Sequence, residues 1–235
     1  MTNRPQVLLA CNPNVRNAYL TPEDIARLES FADWDWFSCE GGGIYSTNTD
    51  TETVRRLGEA LGETDALIVC HGAPTVTEDV LAGASRLRFI GELEGDRFAS
   101  RMDLDAAWAR GIRTVDTTNA SSYPVSEWAL ALILVSLRNG GTHFRQLIAG
   151  DTGMKQGLFP TMQGELWGKR VGLIGCGHMG RRLMEFLRPF QTEIFVYDPY
   201  LPRELPEALG FTQTSLENVL SGCDVVVCLA PHTPK

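Results

Sequence analysis

Residues 171–187 read VGLIGCGHMGRRLMEFL, an apolar run interrupted by glycines at 175, 177 and 180 before an amphipathic stretch. The spacing is that of a phosphate cradle, but also of an ordinary tight turn between a strand and a helix, so the flanks must decide. Val171 to Ile174 reads as a strand, and the stretch from Met179 as a helix. Gly175 makes the sharp exit, Gly177 lacks a Cβ where a diphosphate would approach, and Gly180 lets the helix pack closely on the strand. The amides of the first turn, around His178 and Met179, carry partial positive charge toward the phosphates. Arg181 and Arg182 are expected to add formal charge nearby. The next strand, EIFVYD, ends at Asp198, eighteen residues after Gly180 (180 to 198). That is about the interval at which a carboxylate reaches an adenosine ribose. Asp198 would accept from both ribose hydroxyls and repel a 2′-phosphate, which favours NAD over NADP; Arg203 is the one hint the other way. A glycine turn that binds nothing is the alternative. The ordered series of strand, glycines, helix, strand and terminal Asp favours a dinucleotide site.

The bulk of the chain agrees with such a protein. Its 235 residues suit one large or two medium domains, with 43% apolar and 21% charged residues as in ordinary globular proteins. A formal charge of −8 argues against a nucleic-acid groove. Six cysteines form no C-x-x-C pair and are expected to be mostly buried, reduced thiols; four histidines lack metal-ligand spacing. The longest apolar run, WALALILV at 128–135, is too short to span a bilayer, and the N-terminus does not read as a signal peptide. No membrane association and a cytoplasmic location are the expectation.

From the N-terminus, short β-branched runs alternate with helical ones. Strands are expected in QVLLAC, WDWFSC, DALIVC, LRFIGEL and IRTVD, and helices in PEDIARLESFA, TETVRRLGEALG, TEDVLAGA and DLDAAWARG. This alternation predicts a parallel sheet covered on both faces. SSYPVSEWALALILVSLRNGG breaks the rhythm: Pro124 suits a helix start and Gly140 a stop. Being apolar nearly all round, this helix is expected to be buried on several sides, between domains, in a subunit interface or in an ordinary core. Residues 140–168 read as loop. Strand and helix then resume, with strands RVGLIG, EIFVYD and DVVVCLA. GGG at 41–43 reads as a loop.

With the glycine loop placed, the whole chain resembles the D-isomer-specific 2-hydroxyacid dehydrogenases. LRFIGELEGDRFASRMDLDAAWARGIRTVDTTNASSYPVSEWALALILVSLRN is similar to that family's run from substrate loop to interdomain helix. GELWGKRVGLIGCGHMG is similar to its cofactor fingerprint, and CDVVVCLAPHTPK to the strand and loop that approach the cofactor from the other side. The resemblance implies an α/β protein with a flavodoxin-like substrate domain (1–119) followed by an incomplete Rossmann NAD-binding domain (120–235), both with parallel sheets. It implies an NAD-dependent oxidoreductase of small 2-hydroxy or 2-keto acids, homodimeric when full length, with the apolar helix in the interface. Cofactor contacts would fall on Gly175, Gly177, His178, Met179, Gly180, Asp198, Ala230 and Pro231. Substrate contacts would fall on His71, Gly72 and Ala73 in CHGAPTVT and on Gly95 in the other substrate loop; a lone loop histidine such as His71 is more often structural than catalytic.

Two departures stand out. His178 occupies a position where the family usually has Arg, and it is either a diphosphate donor or a solvated loop residue. GELEGDRFASR replaces a neutral glycine loop and reads two residues longer. Glu92, Glu94 and Asp96 would repel an anionic substrate at close range unless Arg97 or Arg101 compensates or the loop turns the carboxylates outward to water, which is the expected picture. Small unsubstituted 2-keto acids are accordingly expected to be poor substrates. The family's catalytic Arg, acidic residue and His would follow the strand at which the sequence stops, so no catalytic residue is assigned. The chain is expected to behave as an N-terminal fragment with negligible turnover and reduced stability. A non-catalytic NAD sensor or corepressor on the same fold is the competing reading.

Overall fold

The computed structural model describes residues 4–43, 46–95, 101–150 and 164–230. The chain divides into two compact units, Met1–Ala120 and Ser121–Lys235.

The first unit runs β1 (Gln6–Cys11), α1 (Pro13–Tyr19), α2 (Pro22–Glu29), β2 (Asp33–Ser38), α3 (Thr51–Ala60), β3 (Ala66–Val69), α4 (Glu78–Leu81), β4 (Phe89–Glu92), α5 (Leu104–Ala109) and β5 (Arg113–Val115). Its five strands are parallel in the order β2-β1-β3-β4-β5, the flavodoxin-like arrangement. Central β1 alternates its side chains between two cores. Leu8 and Ala10 join Leu57, Leu67, Leu81 and Ile90 on one face, while Leu9 and Cys11 join Val15 and Cys70 on the other. Helix α1 was not anticipated. It starts because Asn12 Oδ1 accepts the Val15 amide at 2.9 Å and Pro13 pre-sets the first turn. Helix α2 opens on a capping box between Thr21 and Asp24.

The second unit runs α6 (Ser122–Leu137), α7 (Gly140–Ile148), β6 (Arg170–Ile174), α8 (His178–Leu187), β7 (Glu193–Tyr197), α9 (Leu205–Leu209), β8 (Thr212–Gln213), α10 (Leu216–Gly222) and β9 (Val225–Cys228). Four parallel strands lie in the order β8-β7-β6-β9, where three were expected. The extra strand is β8, two residues too short to show a period. Gly172 lies where α10 crosses β6: a Cβ there would come within 2.7 Å of Val219 Cγ1 and 3.0 Å of Cys223 Sγ. Gly172→Ala is expected to cost about 1–3 kcal/mol by overpacking, read as a lowered urea midpoint.

The expected end of the apolar helix needs correction. α6 ends at Leu137, and Asn139 takes the left-handed conformation (φ 50°) that makes the turn, so Gly140 begins α7 instead of stopping α6. Part of the stretch read as loop is therefore helical; residues 151–163 lie outside the described residues. Within the single chain α6 is buried on one side. Ser122, Ser126, Ile133 and Leu137 turn inward, whereas Val125, Trp128, Leu132 and Val135 form an exposed stripe, Trp128 being 65% exposed. An apolar sequence records a demand for burial, which α8 meets on one side only. Among the described residues no helix is long and apolar enough to cross a membrane, and no group of side chains could hold a metal ion. All six cysteines are free thiols; Cys11, Cys39, Cys70 and Cys176 are buried, Cys228 exposed.

Candidate functional site

The glycine loop closes the carboxyl end of β6, where the strand order of the second unit reverses between β6 and β9. In open α/β sheets this is where ligands settle. Gly175 sits at φ 92°, and a Cβ on it would lie 2.8 Å from the Ala230 amide nitrogen, so β6 and the segment after β9 approach more closely than any side chain allows. A Cβ on Gly180 would lie 2.9 Å from the Gly175 carbonyl oxygen, which fixes α8 against the loop. Nothing lies within 4 Å of the position a Cβ would take at Gly177. Gly177 is the N-cap of α8 and supplies no side chain, so the first-turn amides at His178, Met179 and Gly180 open onto that space without a side-chain cap. His178 is exposed and is the first residue of the helix.

Asp198, just past β7, is tied into this loop. Its Oδ2 accepts the Cys176 amide at 2.9 Å and its Oδ1 accepts the Tyr200 amide at 3.0 Å. Each oxygen keeps a second lone pair for a further donor. Sequence spacing had not revealed that the carboxylate is oriented by the glycine loop itself. Below the loop, buried Ser126 donates to the Met179 carbonyl at 3.0 Å, a link between α6 and α8 with no sequence signature. Burial pushes the Cys176 thiol up to about 11, so it stays neutral in the middle of the cradle. Of the two arginines expected to add charge near the loop, Arg181 does so and Arg182 does not. Arg181 folds back to donate from Nε to the Gly177 carbonyl at 3.2 Å. Arg182 turns away from the loop, stacks 3.8 Å above the Tyr123 ring and pairs with Glu185, where cation–π attraction holds it. Pro231 lies outside the described residues.

In the first unit the sheet order reverses between β1 and β3, and the residues singled out there gather at the carboxyl ends of the strands. Gly72 has φ 92°, and a Cβ on it would meet Asn12 Cβ at 2.9 Å, so the turn after β3 is pressed against the start of α1. The Asn12 amide donates to the His71 carbonyl at 2.8 Å. Ala73 is buried, its amide donating to the Cys70 carbonyl at 3.0 Å, so it is not a ready donor to a ligand. Gly95 packs on Thr118: a Cβ there would lie 2.9 Å from the Thr118 Cα.

The described carboxylates of the acidic loop, Glu92 and Glu94, are not turned out to water. Glu92 is the last residue of β4, its side chain 0% exposed, and Arg101 (3%) pairs with it, Nη1 to Oε1, at 3.3 Å. Arg101 Nη2 also donates to the Gly43 carbonyl at 2.7 Å. Glu94 binds inward too. Its Oε1 accepts the Tyr19 hydroxyl at 2.7 Å and its Oε2 contacts His71 Nε2. The carboxylates face inward because cations and donors wait there, a compensation that a one-dimensional reading cannot weigh against hydration. His71 is thus not alone but one side of a carboxylate–imidazole contact, with Tyr19 edge-on to its ring at 6.0 Å. Tyr19 was missed altogether. The Glu94 hydrogen bond pushes its phenol up to about 12, so the hydroxyl keeps its proton. Asp96 and Arg97 lie outside the described residues.

Known proteins match both units. Residues 130–235 match the family described as D-isomer specific 2-hydroxyacid dehydrogenase, NAD binding domain, a stretch that contains the whole Gly175–Asp198 constellation; NAD is the cofactor. The D-3-phosphoglycerate dehydrogenase of Methanocaldococcus jannaschii is 32% identical over 184 residues, 78% of this chain and 34% of that one. A phosphoglycerate oxidoreductase from Rhizobium etli superposes with a TM-score of 0.73 at 25% identity, over 96% of this chain and 66% of that one. A glyoxylate reductase from Paecilomyes thermophila gives a TM-score of 0.75 at 18% identity, over 98% and 66%. The chain spans about a third of the length of the curated relatives it matches.

Proposed function

Since the chain belongs to the D-isomer specific 2-hydroxyacid dehydrogenase family, we propose that it is part of an NAD-dependent oxidoreductase acting on the CH–OH group of a small 2-hydroxy acid, or on the 2-keto acid in reverse. The observation that carries this reading is the Gly175–Gly180 cradle with Asp198 fixed to its amide edge. The residues fit a dinucleotide. Open space at Gly177 and the uncapped start of α8 suit a diphosphate, with His178 and Met179 supplying amides and Ala230 walling the far side. Asp198 suits the adenosine ribose and repels a 2′-phosphate. Bound NAD supplies a hydride acceptor; this chain's residues hold and orient it. In this reading the first unit carries substrate contacts at His71, Gly72 and Gly95, and the protein works in the cytoplasm.

Asp198→Asn tests the cofactor half. Asn keeps an acceptor for one loop amide but loses the charge that ribose hydroxyls and a 2′-phosphate would sense. The Kd for NADH is expected to rise about tenfold, the cost of weakening charge-assisted hydrogen bonds, while the gap to NADPH narrows. Fluorescence titration of both nucleotides reads it; unchanged affinity and discrimination would remove Asp198 from the site.

The exposed stripe on α6 supports a homodimer, because a row of Val125, Trp128, Leu132 and Val135 on one helix is costly to leave in water. Trp128→Glu is expected to move the sedimentation coefficient from dimer to monomer. A wild-type chain that sediments as a monomer at high concentration would defeat the dimer proposal.

A further inference from the structure

At the carboxyl edge of the first unit's sheet, Glu94 gathers Tyr19 and His71 into one cluster. We infer that Glu94 is a specificity-determining residue that selects a hydroxy acid whose side chain carries a cationic group over one whose side chain ends in a second carboxylate. The inference rests on the proposed 2-hydroxyacid chemistry and deepens it.

Position comes first. Glu94 follows β4, His71 follows β3 and Tyr19 ends α1, so three elements bring them together beside the β1–β3 reversal of strand order, where ligands bind in such sheets. Charge comes second. Of the two described carboxylates in the loop, Glu92 is matched inside the core by Arg101, which also donates to the Gly43 carbonyl. Glu94 is matched differently. Its partners are a phenol that keeps its proton and an imidazole, and its side chain remains 21% exposed. A carboxylate against a ring nitrogen requires a proton between them, so His71 donates from Nε2. The Glu94 carboxylate thus brings acidic character to the rim of the sheet.

Geometry comes third. Tyr19 and His71 take one lone pair on each Glu94 oxygen, which leaves one acceptor position on each. Two parallel acceptors suit an ammonium or, better, a guanidinium fork. Fixing the carboxylate from behind also lowers the cost of ordering it when a ligand arrives. A second carboxylate on the ligand would instead meet like charge in a partly dehydrated place, where repulsion is stronger than in water.

The test uses calorimetric binding of three probes to the 235-residue chain. The probes are D-2-hydroxy-5-guanidinopentanoate, D-2-hydroxypentanoate and D-2-hydroxyglutarate. The guanidino acid is expected to bind at least ~10-fold more tightly than the neutral one, and 2-hydroxyglutarate most weakly. Glu94→Gln, which keeps the Tyr19 hydrogen bond, is expected to compress the three affinities to within about threefold. Equal or tighter binding of 2-hydroxyglutarate, a preference that survives Glu94→Gln, or no binding of any probe would each overturn the inference. The wild-type ranking decides even if the variant does not fold. NADH titration is a separate signal: its failure counts against the cofactor reading, whereas a wrong ranking with NADH bound counts against Glu94 alone.

Discussion

Replacing Arg101 by methionine is expected to destabilise the first unit by about 3–5 kcal/mol, the largest loss anticipated for a single side chain here. Arg101 and Glu92 are 3% and 0% exposed, so neither charge is substantially hydrated. Their attraction offsets a desolvation penalty that each would otherwise suffer alone. Methionine fills much of the volume but removes the guanidinium that pairs with the buried Glu92 carboxylate, and it deletes the donor to the Gly43 carbonyl. Urea denaturation followed by tryptophan fluorescence reads the loss as a lower midpoint at similar slope. The double variant Glu92→Gln, Arg101→Met is expected to recover a large part of it, because both members of the buried ion pair are then neutral. A single variant within about 1 kcal/mol of wild type, or a double variant no better than the single, would show that the pair is not what holds this corner.

That pair also marks where the sequence stops being readable. In FIGELEG, Glu92 and Glu94 look like a solvated acidic turn; the sequence offers Arg101 as one possible cation but does not show that it folds back onto Glu92. Arg101 is nine positions from Glu92, at the far end of the loop, and Tyr19 is 75 positions from Glu94. Contacts of that kind depend on strand order, which no local pattern states. The Gly175–Asp198 arrangement lies at the other extreme. Its parts are consecutive along one strand–helix–strand unit, so period, glycines and acidic end sit in reading order, and the parallel β6–β7 pairing brings Asp198 to the Cys176 amide. Between these extremes stands α6. Its apolar composition states that burial is wanted, yet the stripe through Trp128 shows that composition does not say by what. The short α1 was hidden for another reason: Asn12-Pro13 is both a strand breaker and a helix start, and seven residues are too few for a helical period.

Gly175→Ala is expected to give the other large effect, on stability and cofactor binding together. Two costs add at this residue. At φ 92° an L side chain is strained by about 1–2 kcal/mol. The new methyl would also stand 2.8 Å from the Ala230 nitrogen and 3.0 Å from its Cα, backbone atoms that cannot rotate away. Relief requires β6 and β9 to part at their carboxyl ends, where the Leu229 amide donates to the Ile174 carbonyl at 2.8 Å. Together these are expected to lower stability by about 2–4 kcal/mol. The loop amides would move with the strand end, and NADH affinity is expected to fall at least ~100-fold, since displaced donors and a shifted Asp198 lose their contacts at once. Gly210→Ala separates the two costs. Gly210 is also left-handed, at φ 74°, but nothing lies within 4 Å of its Cβ position, so only the conformational strain should appear and NADH binding should hold. If Gly175→Ala behaved like Gly210→Ala in both denaturation and titration, the close approach of the two strand ends would not be what shapes the cradle. The diphosphate would then have to be held by something other than the Gly175 turn.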